Sequence, residues 1–299
     1  MKLVNFETRD RYRAVGMLEG DRILDFGRAL AMYLTAEGVS PQSASFSIMD
    51  LISAGWWDVD LLQDVRSFVA RHELAERLSV EDARLLAPLA RPPRIMALGR
   101  NYAAHATETG HKPPKEPIFF LKASTSVTGP GEPVVIPRGI GRVDHEVELA
   151  VVIGKGGRHI SRRKAARHIA GYTILNDITA RDMQNRDMAQ SHPWFMSKSI
   201  DSFAPMGPCI TLPDEITEPC ELDLSLRVNG KVRQKGNTRD LIFKVPDITC
   251  RLSRYLTLAP GDVISTGTPD GISPVEPGDV MEAEIERIGV LRNPVVAGK

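Results

Sequence analysis

The sequence predicts an α+β protein with a mainly β core, in which a small N-terminal α+β domain over residues 1–90 precedes a larger domain over 91–299. Three observations support this fold class: a hairpin pattern opens the chain, helical periodicity follows it, and short strand-like runs fill the remainder. The proline-rich stretch at 87–93 marks the boundary, because proline removes a backbone donor and restricts the residue before it.

The N-terminal domain is predicted to begin with three strands. The runs KLVNF, YRAVGML and RILDF have strand-like composition, and the turn formers Glu19-Gly20-Asp21 join the second to the third. Apolar residues then recur at helical spacing over 28–37, 45–54 and 59–78. Gly38 and Gly55 follow the first two segments and are typical helix ends. This pattern indicates a small α+β unit.

The second domain is predicted to be built mainly from short strands. Gly and Pro separate its strand-like runs, which are IMALG, PIFFL, PVVIP, EVELAVVIG, GYTILND, LSLRVNG and DVISTG. Asn229-Gly230 predicts a two-residue hairpin turn, since both positions tolerate positive φ. Two helices are expected to interrupt the strands, at 161–170 and at about 245–258. Together these features favour a β core over a doubly wound sheet.

Composition narrows the class of partner. Lys plus Arg and Asp plus Glu both total 38 in 299 residues, so no net field attracts nucleic acid or anionic lipid. No apolar run approaches the roughly 18 to 20 residues that cross a bilayer, and the N-terminus turns polar too early for a signal peptide. The three cysteines form no CxxC pair and are read as reduced, structural thiols. We therefore expect a cytoplasmic protein with a small-molecule partner.

Three carboxylates form the candidate metal site. Strand alternation places Glu146 and Glu148 on one face, and the apolar continuation of the strand predicts that both are buried. Asp177 ends another apolar run, where a strand meets a loop. Neighbouring buried carboxylates repel one another unless a cation or proton intervenes, although solvated strand-end charges are the alternative. Three oxygen donors suit Mg²⁺ or Mn²⁺, with Ca²⁺ as an alternative.

Six ordered motifs extend over about residues 95–290. They are GRNYAAHATETG (99–110), FFLKAST (119–125), DHEVELAVVIG (144–154), NDITARDMQ (176–184), SKSIDSFAPMGP (197–208) and STGTPDGIS (265–273). In this order they resemble the motif set of the fumarylacetoacetate hydrolase family. The resemblance implies a distorted mixed β-roll catalytic domain and usually a homodimer. It also implies Mg²⁺ or Mn²⁺ on Glu146, Glu148 and Asp177, in agreement with the residue pattern.

The resemblance also separates this chain from some family members. Those members have an additional aspartate near the metal, where this sequence has the neutral Asn101. A site with three carboxylate ligands is therefore expected here. Three ligands leave about three octahedral positions open for water and a bidentate oxygen ligand.

His105 and Glu108 are the candidate general base and its orienting partner. They are three residues apart, so one helical turn would place them side by side. A carboxylate beside an imidazole orients the ring and raises its basicity. Such a pair on its own is also typical of a solvated helix surface, and the resemblance favours the catalytic interpretation. The turn-rich segment 107–117 suggests that the pair lies on a mobile lid.

Other residues are assigned mainly through the resemblance. Lys198 is expected to stabilise a developing enolate oxygen, and Lys122 to help bind the substrate. Gln184 and Thr268 are expected to contact the ligand, whereas Arg181 and Asp182 more simply brace their loop. The remaining candidates for a second substrate carboxylate are Arg138 and Arg142, which flank a glycine-containing segment and which solvent would otherwise surround.

The leading functional hypothesis is metal-dependent hydrolysis of a C–C bond in a 2,4-dioxo acid, such as an acylpyruvate or a fumarylacetoacetate-like compound. Oxaloacetate-type decarboxylation and hydroxymuconate-type isomerisation or hydration at the same site are the alternatives, because all can proceed through one enolate. A non-catalytic, metal-stabilised binding protein is the rival from another class. Gly154-Lys155-Gly156-Gly157 lacks the spacing of a phosphate-binding loop and is read as a turn.

Overall fold

The computed structural model of the chain describes residues 1–41, 45–216 and 220–299. The strands in these ranges are β1 (Lys2–Glu7), β2 (Arg13–Glu19), β3 (Arg22–Asp25), β4 (Ser79–Val80), β5 (Arg84–Leu86), β6 (Ile95–Gly99), β7 (Ile118–Lys122), β8 (Val127–Thr128), β9 (Val134–Ile136), β10 (Val143–Asp144), β11 (Val147–Ile153), β12 (Ile169–Asn176), β13 (Thr179–Ala180), β14 (Ala204–Thr211), β15 (Asp223–Val228), β16 (Lys231–Asn237), β17 (Val263–Ser265), β18 (Val280–Ile285) and β19 (Gly289–Ala297).

The helices in the same ranges are α1 (Phe26–Ala36), α2 (Ile48–Ser53), α3 (Val59–Arg71), α4 (Ala75–Leu78), α5 (Ala103–Glu108), α6 (Arg181–Ala189), α7 (Phe195–Lys198) and α8 (Val245–Tyr255). Short 3₁₀ segments lie at 124–126, 162–168 and 238–240. None of the described helices is both long enough and apolar enough to span a bilayer. Even α3, with 13 residues, falls short of the roughly 20 that a span requires.

Two large sheets contain most of the described strands. The first joins them in the order β4-β3-β2-β1-β14-β12-β11-β17-β6-β7, with β5 beside β1 and β8 beside β14. The second has the order β16-β15-β18-β19-β9. Most pairs are antiparallel, whereas β17 with β6, β19 with β9 and β8 with β14 run parallel. The predicted strand-dominated α+β class with mixed sheets is therefore confirmed.

The central strand β11 is buried on both faces. Val151 belongs to an apolar cluster that also contains Leu226 of the second sheet. Its neighbour Val152 belongs to a second cluster, which also contains Leu30 of α1 and Leu62 of α3. The large sheet is therefore packed between the five-stranded sheet and the N-terminal helices. This position explains why β11 is apolar at successive residues instead of alternating with polar ones.

Three of the N-terminal helices, α1, α2 and α3, begin at side-chain caps. Asp25 accepts a hydrogen bond from the Arg28 amide at the start of α1, and Ser47 with Asp50 forms a reciprocal capping box at α2. Asp58 accepts from two backbone amides at the start of α3. These caps satisfy amide donors that the first helical turn leaves unpaired. The sequence therefore specifies where these three helices begin.

The N-terminal segment is joined directly to the larger part of the fold. β1 pairs with β14 in antiparallel register, with Leu3 opposite Ile210. The Trp57 indole Nε1 donates a hydrogen bond of 2.9 Å to the Ala170 carbonyl on β12. Strands from both sides of residue 90 therefore belong to one sheet. The domain boundary at residue 90 stays a prediction.

Two helix predictions need correction, and one further helix was not predicted. The segment 59–78 is two helices, because Glu73 adopts φ of +53° between α3 and α4. The segment 161–170 forms only a 3₁₀ turn before β12 begins at Ile169. Helix α6 was missed, since its sequence RDMQNRDMA is strongly polar and lacks an apolar stripe. The Asn229-Gly230 hairpin is confirmed, with φ of +51° and +75° at the two residues.

Gly171 tests the close packing of β12 against β14. A Cβ at this position would lie 2.4 Å from the Thr211 carbonyl oxygen and 2.6 Å from Ile210 Cγ2. We expect Gly171→Ala to lower the free energy of unfolding by about 1 to 3 kcal/mol, because the backbone must move to admit the methyl group. Urea denaturation measures the change. Val232→Ala on β16, where the side chain is 59% exposed, is the control. An equal effect at both sites would contradict this packing argument.

Candidate active site

The pairing of β11 with β12 brings two of the predicted ligands together. Val147 lies opposite Asn176, so the residues just beyond this pair, Glu146 and Asp177, become neighbours. The Asp177 amide donates to the Glu146 carbonyl at 2.8 Å, and the Glu146 amide donates to Asn176 Oδ1 at 2.9 Å. Two distant sequence positions therefore meet at the end of a strand pair.

A third strand positions Glu148. β17 pairs with β11 on its other side, with Ala150 opposite Ser265. The Ser265 hydroxyl donates to Glu148 Oε2 at 2.5 Å, and the Gly267 amide donates to the same oxygen at 2.8 Å. These contacts hold the carboxylate at the end of the sheet. One oxygen from each of Glu146, Glu148 and Asp177 lies within 4.8 Å of the other two.

Two buried lysines neutralise part of this negative charge. Lys198 Nζ donates to Glu146 Oε2 at 2.8 Å and also to Asp177 Oδ2. Lys122 Nζ donates to Asp177 Oδ1 at 2.7 Å and to two backbone carbonyls, those of Ile178 and Lys198. Removing one member of a buried ion pair costs about 3 to 5 kcal/mol in general, so both lysines are integral to the cluster.

Two arginines lie on the other side of the cluster, where Arg181 contacts Glu146 and Arg142 contacts Asp144. Arg181 donates through Nη2 to Glu146 and through Nε to Asp144 Oδ2, the latter at 2.7 Å. Arg142 Nε donates to Asp144 Oδ1, also at 2.7 Å. The interpretation of Arg181 as a bracing residue agrees with these contacts, although its side chain also lines the cavity described below.

The three carboxylates differ in their cationic partners. Burial alone would raise the pKa of Glu146, but Lys198 and Arg181 outweigh it and hold that pKa below its usual value. For Glu148, burial and the nearby charge of Asp177 raise the pKa to about 8. Within the described ranges no Lys, Arg or His nitrogen lies within 4.0 Å of the Glu148 carboxylate. Glu148 is therefore the carboxylate that lacks a cation.

This donor set fits a hard divalent cation. Glu146, Glu148 and Asp177 are at most 4% exposed and supply oxygen atoms only. A cation bound among them would supply the partner that Glu148 lacks. Asn101 does not extend the set, because its amide nitrogen donates to Thr266 and Phe243 carbonyls while its oxygen accepts from the Phe243 amide. The expected three-carboxylate arrangement matches this geometry.

His105 and Glu108 form the expected pair on α5. The ring nitrogen Nδ1 of His105 donates to Glu108 Oε2 at 3.3 Å. Glu108 Oε1 accepts from the Gly271 amide at 3.0 Å, which ties α5 to the loop after β17. With Nδ1 directed at the carboxylate, Nε2 of His105 is the nitrogen that can exchange a proton with a ligand.

A cavity of about 430 Å³ brings most of the predicted residues together. Its wall includes eight of the nine sequence-predicted site residues, namely His105, Glu108, Glu146, Glu148, Asp177, Gln184, Lys198 and Thr268. Lys122 is the exception, because it lies behind Asp177 and is absent from the cavity wall. Its predicted substrate contact stays untested, and its place favours a positioning role.

Two further predicted contacts already have protein partners. Gln184 Oε1 accepts from Arg181 Nη1 at 2.5 Å. The Thr268 hydroxyl donates to the Val147 carbonyl at 2.9 Å and accepts from Gln234 Nε2 at 2.8 Å. These bonds leave Thr268 its backbone amide and one hydroxyl lone pair for a ligand. The predicted ligand contacts of both residues stay untested.

Residues that the sequence did not reveal also shape the site. Gln234 on β16 is fully buried and also accepts from the Val147 amide at 3.1 Å, so it fixes the backbone between Glu146 and Glu148. The flanking residues Arg233 and Lys235 are exposed and give no hint of this role. Arg100, His111 and Trp194 also line the cavity. Of these, Arg100 and His111 stand within or beside a matched motif, but no local pattern marks them as ligand contacts.

The two arginines considered for a second substrate carboxylate have different positions. Arg142 lines the cavity, but its Nε is committed to Asp144. Arg138 is exposed and does not belong to the cavity wall. The geometry therefore gives little support to either assignment, which no observation here tests.

Comparison with known proteins places this site in a family. The family model described as fumarylacetoacetate (FAA) hydrolase C-terminal matches residues 94–296. A human protein named oxaloacetate tautomerase FAHD2A, mitochondrial, is 43% identical over 238 residues, covering 76% of this chain and 75% of the relative.

Solved structures indicate the same family. Fumarylacetoacetate hydrolase from psychrophilic Exiguobacterium antarcticum is 33% identical, with a TM-score of 0.80 and full coverage of both chains. Fumarylpyruvate hydrolase from Pseudomonas aeruginosa, in complex with Mn²⁺ and pyruvate, is 37% identical with a TM-score of 0.66, covering 69% of this chain and 91% of the other. The sequence match, the shared fold and the clustered site together show that this chain belongs to the fumarylacetoacetate hydrolase family.

Proposed function

We propose that the chain is a divalent-metal-dependent enzyme that interconverts the enol and keto forms of a small 2-oxo acid. The observation that carries the proposal is the convergence of a base, His105, and a buried cation, Lys198, on one cavity with three carboxylates. The 43% identity to a protein named oxaloacetate tautomerase supports this reaction over the hydrolysis that the sequence first suggested.

Glu146, Glu148 and Asp177 would hold Mg²⁺ or Mn²⁺. When bound, the ion would act as a Lewis acid on the 2-oxo group and favour the enolate. The complex of a 37% identical relative with Mn²⁺ and pyruvate supports a metal and a 2-oxo acid in a site of this family. The chemistry of the donor set, oxygen atoms on buried carboxylates, supports the same class of ion.

His105 would move the proton. In the direction from enol to keto form, the enol oxygen loses its proton and the C3 carbon gains one, so no carbon bond breaks. Nε2 of His105 can serve as the acid and base, since Nδ1 is oriented by Glu108. The ammonium of Lys198 would offset the negative charge that develops on oxygen in the enolate.

Lys122 would affect the reaction indirectly, through its contacts with Asp177 and with the backbone of Lys198. Its Nζ holds Asp177 Oδ1 and the Lys198 carbonyl, so it fixes both a metal ligand and the backbone that carries the second lysine. Burial lowers the pKa of Lys122, while the charge of Asp177 opposes that shift. Lys122 is therefore a positioning residue in this proposal.

Hydrolysis of a 2,4-dioxo acid is the second candidate. The specific observation in its favour is the His105 and Glu108 pair, which is the arrangement expected of a base that activates water. The water oxygen would bond to C4, the C3–C4 bond would break, and C3 would take up a proton. The products would be a carboxylic acid and a 2-oxo acid. Both candidates share the protonation of an enolate at C3.

Glu148→Gln tests the metal site. We expect the variant to bind Mn²⁺ at least about tenfold more weakly, because a neutral amide replaces a carboxylate ligand and even outer-shell changes cost that much. Calorimetric titration of the metal-free protein measures the affinity. Glu276→Gln, at an exposed position, is the matched control and should bind Mn²⁺ normally. Normal Mn²⁺ affinity in Glu148→Gln would rule out this ligand set.

His105→Gln tests the proposed acid and base. We expect turnover to fall by about 10²- to 10⁴-fold while Mn²⁺ affinity is retained, because the ring exchanges the proton and does not hold the metal. The assay follows the ultraviolet absorbance of enol oxaloacetate and, in parallel, acid release from acetopyruvate. His72→Gln, on an exposed ring of the N-terminal segment, is the control.

The two substrates separate the candidate reactions. Metal-dependent loss of the enol absorbance without carbon loss supports tautomerisation, whereas release of acetate and pyruvate supports hydrolysis. Carbon dioxide release from oxaloacetate would point to the decarboxylase. A wild-type protein that binds Mn²⁺ but turns over none of these substrates would contradict the proposed enzyme.

A further inference from the structure

Gln234 lies on β16, the end strand of the five-stranded sheet, yet its side chain is fully buried. Its Oε1 accepts from the Val147 amide at 3.1 Å and from His145 Nδ1 at 2.9 Å. Its Nε2 donates to the Thr268 hydroxyl at 2.8 Å and to the Pro269 carbonyl at 2.9 Å. The side-chain amide therefore uses both acceptor positions and both protons, which is all that an amide can offer.

The direction of the Gln234 amide is fixed by groups that can play only one role. The Val147 amide can only donate and the Pro269 carbonyl can only accept, so Oε1 faces β11 and Nε2 faces the loop after β17. His145 consequently donates through Nδ1. In the neutral ring Nε2 then accepts from the Ser273 hydroxyl at 2.8 Å. His145 therefore joins the start of β11 to the same loop a second time.

The loop after β17 contacts both halves of the site. At its start, the Gly267 amide donates to Glu148 Oε2 at 2.8 Å. Further along, the Gly271 amide donates to Glu108 Oε1 at 3.0 Å, and Glu108 Oε2 accepts from His105 Nδ1. One short loop thus touches a carboxylate of the proposed metal site and the partner of the proposed base. The position of the loop sets the separation of these groups.

The loop also packs against β16 without room for further atoms. A Cβ on Gly271 would lie 2.2 Å from the Arg233 carbonyl oxygen. A Cβ on Gly236 would lie 2.9 Å from Pro269 Cβ. Gly271 has φ of +92°, in the left-handed region that favours glycine. The loop and the strand that carries Gln234 therefore form one closely packed unit.

We propose that Gln234 is a positioning residue that sets the separation between the metal-binding carboxylates and the pair of His105 and Glu108. Its side chain holds the β11 backbone between Glu146 and Glu148 on one side and the loop that anchors Glu108 on the other. Gln234 itself lies behind the cavity wall. The inference rests on the proposed function, since it assumes that His105 exchanges a proton with a ligand at the carboxylates. A displacement of about 1 Å between reacting groups can cost about 10²-fold in rate.

A double-mutant cycle tests whether Gln234 acts through Glu108. Gln234→Met keeps a side chain of similar length and removes four hydrogen bonds. We expect kcat for enol oxaloacetate at saturating Mn²⁺ to fall about 10- to 100-fold. In a Glu108→Ala background the same substitution should change kcat by less than about threefold, because the connection from the loop to His105 is already broken.

Amide hydrogen exchange gives a readout that does not require turnover. The Gly271 amide bonds to Glu108, so its exchange in the wild-type protein reports how firmly the loop is held. In Gln234→Met we expect this amide to exchange at least about tenfold faster, measured by NMR relative to the Val151 amide in the buried strand β11. The comparison with Val151 separates a freed loop from a loss of global stability.

Ser273→Ala is a milder variant that keeps the test decisive if Gln234→Met does not fold. It removes the hydroxyl that bonds to His145 Nε2 and leaves the hydrogen bonds of Gln234 in place. We expect kcat to fall about three- to tenfold and Gly271 exchange to rise by a similar factor, because one link between the loop and the start of β11 is lost. In the Glu108→Ala background this effect on kcat should also disappear.

Asn293→Leu is the matched control, because Asn293 is another buried amide whose donors bond to backbone carbonyls outside the cavity wall. It should lower stability and leave both kcat and the relative exchange of Gly271 unchanged. Multiplicative effects of Gln234→Met and Glu108→Ala on kcat would overturn the inference, since Gln234 would then act independently of Glu108. Equally faster Gly271 exchange in Asn293→Leu would overturn it as well.

The same measurements distinguish this inference from the proposed function. If the Mn²⁺-loaded wild-type protein turns over neither oxaloacetate nor acetopyruvate, the proposed function fails, and Gly271 exchange alone decides whether Gln234 holds the loop. If the wild-type protein is active and Gly271 exchange is unchanged in both Gln234→Met and Ser273→Ala, the proposed function stands and the role of Gln234 fails.

Discussion

The pairing of β11 with β12 is the constraint on which the site depends. Because Val147 lies opposite Asn176, the strand ends place Glu146 beside Asp177 without any contribution from a flexible loop. Both strands are buried on both faces, so a one-residue slip would turn apolar side chains and charges to the wrong sides. The same packing that stabilises the core therefore sets the separation of the carboxylates, and β17 adds the third.

Concentrating these carboxylates in the interior requires compensating charge. Four buried carboxylates and four cations form one network, namely Asp144, Glu146, Glu148 and Asp177 with Arg142, Arg181, Lys122 and Lys198. Their formal charges cancel, yet among the described residues Glu148 has no direct cationic partner, and its pKa rises. A divalent cation bound among the carboxylates would supply the partner that Glu148 lacks.

The cavity combines elements from distant parts of the chain. The short helix α5 supplies His105 and Glu108, the loop after β17 anchors Glu108 through Gly271, and α7 supplies Lys198. Gln234 reaches from the second sheet to hold the backbone of β11. Each reactive group is thus fixed by a neighbour with a different structural origin. Such support is what keeps a proton donor and acceptor in a productive orientation.

The sequence by itself determined the strand-dominated class, the positions of most strands and the family through six ordered motifs. It also determined that Glu146 and Glu148 share a face, because strand alternation is a local property of the backbone. Local periodicity failed where it was weak, as in the polar helix α6, or where one residue ended a helix, as at Glu73.

Only the tertiary structure decided which groups meet. The contact of Lys122 with Asp177 and the span of Gln234 between the two sheets arise between residues far apart in the chain. No local pattern encodes them, since they depend on strand register and on how the two sheets pack. The sequence therefore determined the family and the carboxylate pattern, and the packing decided which side chains reach the cavity.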